Sequence, residues 1–136
     1  MIVELHSNMP KRVLIIDDDK DVIDVLEEIF SYSHYQVYHS TDARRIFALV
    51  DEVQPDVLIL DCSMKKEITL EICRKIKNNP DTRELPVIVI SAYPEFGMGV
   101  ENTCCDLFIS KPFDLNTITR KATELIAFKI FRSVHF

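Results

Sequence analysis

No stretch of this 136-residue sequence approaches the roughly 20 consecutive apolar residues that a membrane-spanning helix requires. Residues 1–9 contain neither a basic run nor an apolar core segment, so they do not read as a secretory leader. Positive charge is in the minority. There are 16 Lys and Arg against 22 Asp and Glu, and the formal net charge of −6 argues against nucleic acid as a direct partner. Cysteine occurs only four times, and the spacing of Cys62, Cys73, Cys104 and Cys105 matches no zinc-binding pattern; reduced thiols of a cytoplasmic protein are expected. No internal repeat, low-complexity tract or linker divides the chain. One domain is therefore expected, with a polar arm over 1–10, a folded body over 11–128 and an apolar tail over 129–136.

What the sequence does have is three short unbroken apolar runs. Val13-Leu14-Ile15-Ile16, Val57-Leu58-Ile59-Leu60 and Val87-Ile88-Val89-Ile90 read as strands buried on both faces. Two more segments, 35–39 and 107–109, are more mixed and suit the edges of a sheet. Val22, Val25, Leu26 and Ile29 recur at helical spacing and mark a helix over 20–32, with Asp19 as its candidate N-cap. Thr41 or Asp42 can cap a second helix that shows Ala43, Ile46, Phe47 and Val50 on one face. A third, over 69–78, turns Leu70, Cys73 and Ile76 inward. The segment 94–105 holds Pro94, Gly97 and Gly99 and has poor helix propensity. The final helix starts at the candidate cap Asp114 and carries Leu115, Ile118, Ala122, Leu125 and Ile126 in one stripe. Five strands alternating with helices imply a doubly wound α/β fold: a parallel sheet, helices on both faces and right-handed crossovers. The grading from apolar to mixed strands fits the known order 2-1-3-4-5, with strands 2 and 5 at the edges.

In such a sheet the carboxyl ends of the strands lie along one edge, where open α/β sheets place their ligands. The first strand runs into Asp17-Asp18-Asp19, the third ends on Asp61, the fourth on Ser91, and the fifth runs into Ser110-Lys111-Pro112-Phe113. Three converging carboxylates repel and call for a cation. An acid-rich, all-oxygen donor set suits Mg²⁺. Lys111 can pair with Asp61 and then with a phosphoryl group, and Ser91 supplies a hydroxyl. These parts suit phosphoryl transfer onto a carboxylate. A flavin mononucleotide protein of the same topology needs a phosphate-holding loop after the first strand, which Asp17-Asp18-Asp19 would repel. None of His6, His34, His39 and His135 sits in a phosphodonor motif.

The sequence resembles the receiver domains of two-component response regulators, chemotaxis regulators among them, which share a flavodoxin-like fold. The resemblance rests on the runs 13–19 and 55–61, on Met64, on 87–92, and on Lys111-Pro112-Phe113. It implies Asp61 as phosphoacceptor and Asp18 as a direct Mg²⁺ ligand together with Asp61, with Asp17 acting through water and the backbone carbonyl of Ser63 completing the protein ligands. It also implies Ser91 as the switch hydroxyl, Lys111 as the phosphoryl-binding lysine, Phe108 as the aromatic that follows the switch, and a cis peptide before Pro112. The sequence departs from the family's pattern at Lys65, where proline is usual, and at Thr69, where glycine is usual. Thr69 can instead cap the third helix. Phe108 stands where a tyrosine is frequent and lacks its hydroxyl. Lys65-Lys66 read as solvated loop lysines.

The function expected from this resemblance is a receiver that takes a phosphoryl group from a sensor histidine kinase or phosphotransfer protein onto Asp61 with Mg²⁺. A changed face would then be read by a downstream protein. The chain would catalyse only its own phosphoryl transfer and a slow self-dephosphorylation, with Tyr93 hindering water, so it is not expected to be an enzyme in the ordinary sense. No membrane partner is expected. No output domain follows in this sequence, so output is expected through another protein or a longer chain. Ile130, Phe131, Val134 and Phe136 make the tail apolar, and either packing onto its own domain or a homodimer or partner contact is expected of it. The alternative is a receiver-like interaction module that works without phosphorylation, favoured by the altered 62–69 loop.

Overall fold

The computed structural model describes residues 9–61, 66–92 and 105–135, and the side chains of these except at 66 and 133–135. In chain order the elements are β1 (Arg12–Ile16), α1 (Lys20–Tyr32), β2 (Gln36–Ser40), a 3₁₀ turn (Ala43–Arg45), α2 (Ile46–Val53), β3 (Val57–Asp61), α3 (Lys66–Asn78), β4 (Val87–Ser91), β5 (Leu107–Ser110) and α4 (Leu115–His135). All strand pairs are parallel, and the sheet order is β2-β1-β3-β4-β5. The three apolar runs occupy the three central strands, and the mixed segments form the edges.

Strand alternation divides the core into two halves. Leu14, Ile16, Leu58, Leu60, Val87 and Val89 face one way and pack with Ile46, Val50, Ile72, Cys73 and Ile76 of α2 and α3. Val13, Ile15, Val57, Ile59, Ile88 and Ile90 face the other way and pack with Ile23, Leu26 and Phe30 of α1 and with Ile118, Ala122 and Ile126 of α4. Each such side chain, taken fully out of water, contributes about 1.5–3 kcal/mol before chain entropy is counted. This floor therefore resists deformation at the edge where the strands end. Among the described residues, no helix is long and apolar enough to cross a membrane.

The helices differ from the sequence reading in phase and extent. In α1 the buried face is Ile23, Leu26 and Phe30; Val25 is exposed, and Val22 and Ile29 are half-buried. The apolar stripe on this helix is wide enough to be read in two phases, and the sheet selects the one containing the larger Phe30. In α2, Ile46, Val50 and Val53 are buried while Phe47 is 38% exposed. Asp42 caps the 3₁₀ turn instead of an α-helix, accepting from the Arg44 N–H at 2.9 Å. Asp19 caps α1 as expected, and Asp114 accepts from the Asn116 N–H at 2.8 Å at the head of α4. The last helix continues to His135 and takes in residues of the apolar segment 129–136. Leu115 in its first turn is exposed rather than part of the stripe.

At the amino-terminal edge of the sheet, Asp106 fixes where β5 begins. Its backbone N–H donates to the Val87 carbonyl at 2.9 Å, and its Oδ2 accepts from the Val87 N–H at 2.8 Å. Lys77 Nζ lies 2.8 Å from the same Oδ2, and Lys129 Nζ lies 3.0 Å from Oδ1. Register matters here because a slip of one residue reverses the face of every later side chain on the strand. The strand so anchored carries Phe108 and delivers Lys111.

Candidate functional site

The acidic triplet after β1 is divided among three tasks. Asp17 is fully buried, and its Oδ1 accepts from the Asp19 N–H at 2.9 Å. Asp19 caps the helix by accepting from the Asp21 N–H at 2.9 Å. Asp18, between them, is exposed at the rim. The expected packing of Asp17, Asp18 and Asp61 is thus narrowed: Asp17 and Asp61 are buried and Asp18 faces solvent. Among the described residues, no three His, Cys, Asp or Glu side chains are grouped so as to hold a metal ion.

Asp61 is the last residue of β3 and is only 1% exposed. The pairing of Ile16 with Leu60 sets Asp17 and Asp61 side by side at the ends of adjacent strands. Lys111 Nζ lies 2.5 Å from Asp61 Oδ2. Lys111 is held in turn by its own N–H, which donates to the Ser91 carbonyl at 2.7 Å. The Lys111–Pro112 peptide is cis, as the resemblance implies. Ser91 closes β4 and is 1% exposed. By alternation, Asp61 and Lys111 share the parity of Ile59 and Ile109, whereas Ser91 shares that of Val89 and Phe108. Phe108 is half-buried against the α2–α3 half of the core, on the same side of the sheet as Ser91.

Chemically, one buried carboxylate meets a lysine at a strand-end edge, with a second buried carboxylate on the neighbouring strand end and an exposed one at the rim. Burying such charges opposes folding unless they are compensated, so the arrangement is poorly explained as a stabilising device. The described donors are all oxygen and too few to enclose a cation alone. That set fits an ion that keeps several of its waters and takes one or two carboxylates, which is the habit of Mg²⁺.

Ser63, Met64, Lys65 and Tyr93 lie outside the described residues, as do Cys62, Cys104 and the segment 93–104. Of the cysteines, Cys73 and Cys105 are described, and both are buried. Thr69 does not cap α3. The helix begins at Lys66, and Thr69 sits fully buried inside its first turns, where a short β-branched side chain can pack against the core. The sequence reading missed Asp106, whose signal is visible only in retrospect. Lys129 continues the buried stripe of Ile118, Ala122 and Ile126 at positions where an apolar residue would be expected, and such a lysine needs a carboxylate nearby.

Comparison with known proteins bears on the family and the fold. The model for the response regulator receiver domain matches residues 13–123. The response regulator PleD of Caulobacter vibrioides is 30% identical over 125 residues, which is 90% of this chain and 27% of that protein. The response regulator MprA of Mycolicibacterium vanbaalenii is 30% identical over 120 residues, 87% of this chain and 51% of that protein. This chain thus spans between about a quarter and a half of these relatives. Among solved structures, the signal receiver domain of a response regulator from Bermanella marisrubri superposes with a TM-score of 0.79 at 23% identity, covering 87% of this chain and 99% of that one. At that identity the likeness bears on the fold alone. The family match, covering most of the chain and every strand-end residue described above, carries the conclusion that this protein belongs to the receiver-domain family of two-component response regulators.

Proposed function

We propose that Asp61 accepts a phosphoryl group from a phosphohistidine presented by a sensor histidine kinase or phosphotransfer protein. A carboxylate oxygen of Asp61 forms the new O–P bond in line as the P–N bond breaks, and the imidazole leaves with the electron pair. Lys111 and Ser91 then bind the oxygens of the acyl phosphate. Asp18 and Asp61, with the Ser63 carbonyl and Asp17 through water, would hold Mg²⁺, which neutralises charge on the phosphoryl oxygens. The observation that carries this reading is the buried Asp61 at the end of β3 with Lys111 Nζ 2.5 Å from Oδ2. A lysine at that distance sits where a phosphoryl group attached to the same oxygen would need a positive charge.

Phosphorylation adds about −2 of charge beside Lys111. Ser91 moves to the new group, and Phe108, on the same face of the sheet, fills the space it leaves. The reshaped surface is the output, read by a downstream protein or by further domains of a longer chain. Incubation with acetyl phosphate and Mg²⁺, followed by intact mass, tests the reading. A gain of one phosphoryl group that needs Mg²⁺ and is lost in Asp61→Asn is expected. No gain from acetyl phosphate or from a phosphohistidine donor would favour the phosphorylation-independent interaction module. That alternative draws on Thr69, whose side chain fills a helix position where the family has glycine.

A further inference from the structure

The family match ends at residue 123, yet α4 continues to His135. Its buried stripe, Ile118, Ala122 and Ile126, gives out at Ile126. From there on Ala127, Phe128, Ile130, Phe131 and Arg132 are exposed. An apolar face would ordinarily end with the helix. Here the next position on the stripe is Lys129, whose side chain is largely buried and whose Nζ lies 3.0 Å from Asp106 Oδ1.

We propose that Asp106 is a latch holding the C-terminal arm of α4, beyond Ile126, against the strand whose far end carries Lys111. One carboxylate gathers three donors from three separate elements: Lys77 of α3 and the Val87 N–H on Oδ2, and Lys129 of α4 on Oδ1. Lys77 also donates to the carbonyls of Leu85 at 3.0 Å and Arg83 at 3.3 Å, so it ties the turn that leads into β4. The two lysines divide the work. Lys77 fastens the α3–β4 turn, and Lys129 fastens the arm. Asp106 immediately precedes β5, so the arm is pinned at one end of the strand that delivers the site lysine at the other. Both lysines are shielded from solvent, which makes the geometry persistent rather than a passing surface contact. The carboxylate therefore governs how Phe128, Ile130 and Phe131 are presented. The latch does not depend on phosphoryl acceptance.

Hydrogen–deuterium exchange on the full chain tests it. Lys129→Met keeps the apolar stem and removes the charge. It is expected to speed exchange across 127–135 at least about tenfold while leaving 107–111 slow, and Lys129→Arg is expected to restore slow exchange. Lys77→Met is expected to loosen 79–86 and spare 127–135. Exchange over 127–135 that is equally slow in Lys129→Met and wild type would overturn the proposal. Should Lys129→Met not fold, the wild-type chain carries the test by nitrogen-15 spectra of its lysine ammonium groups. A slowly exchanging Lys129 signal is expected, and its absence overturns the latch.

Discussion

The two edges of the sheet each hold an aspartate–lysine pair and use it differently. At the carboxyl edge, Asp61 meets Lys111 beside a second buried carboxylate, a hydroxyl and an exposed acid. At the amino edge, Asp106 receives two lysines and a backbone N–H. Burial pushes the Asp106 carboxyl up, but the hydrogen bonds from Lys77, the Val87 N–H and Lys129 together outweigh it and hold its pKa below the ordinary carboxylate value. A carboxylate with positive charge in excess is fixed in its ionised form and serves as an anchor. A carboxylate in a pocket where negative charge is in excess is suited to meeting a cation and an incoming electrophile. The residue types are the same, and the local balance of charge separates an anchor from the proposed phosphoacceptor.

The comparison can be broken most sharply by removing each carboxylate in turn. Asp61→Asn is expected to abolish phosphoryl gain completely, by intact mass, while the far-ultraviolet spectrum stays unchanged. Asp106→Asn is expected to do the reverse. It leaves two lysines around a neutral amide and should lower unfolding stability by about 3 kcal/mol, read as a fall in the urea midpoint at constant m. Phosphoryl gain should persist wherever that variant is folded. If Asp106→Asn instead left stability unchanged and abolished phosphoryl gain, the division of labour between the edges would be wrong.

Acid sharpens the contrast further. Because the folded-state pKa of Asp106 is depressed, its contribution is complete above the unfolded value of about 4 and is lost as pH falls through the lower folded value. The stability gap between wild type and Asp106→Asn should therefore be full at pH 6 and shrink from about pH 5 downward, measured by urea unfolding at each pH. The groups facing the carboxylate from the packed elements are Lys77, Lys129 and the Val87 N–H. Least affected should be an ion pair with no such setting. Lys75 and Glu71 pair at 3.1 Å on α3 with both side chains more than half exposed. Glu71→Gln is expected to shift stability by no more than about 0.5 kcal/mol in the same assay.

The two edges also differed in how plainly the sequence announced them. The carboxyl edge was legible because its residues directly follow a short apolar run or come within two residues of its end. Locating the runs 13–16, 57–60 and 87–90 locates Asp17, Asp61 and Ser91, and parallel topology brings them together. Sheet order and caps at Asp19 and Asp114 followed from equally local rules. The amino edge was not legible, because Lys77, Asp106 and Lys129 are separated by 29 and 23 residues and no local pattern pairs them. Helix phase was read only in part. Val25 and Ile23 are both plausible on a wide stripe, and only the sheet beneath decides between them. Thr69 was misread as a cap because a hydroxyl before an apolar run signals a helix start, whereas the helix begins three residues earlier and buries it.

The register of the strands bears on how this pocket can change. Asp17 and Asp61 stand level, Ser91 stands one residue beyond the partner of Asp61, and Lys111 one residue beyond the partner of Ser91. The site is thus a staircase whose treads are single peptides on four different strands. A one-residue insertion or deletion within β3, β4 or β5 would not adjust a tread; it would turn that side chain to the opposite face of the sheet. Variation among such pockets is therefore confined to exchanging one side chain for another on a fixed stair, while changes of length are left to the connections between strands.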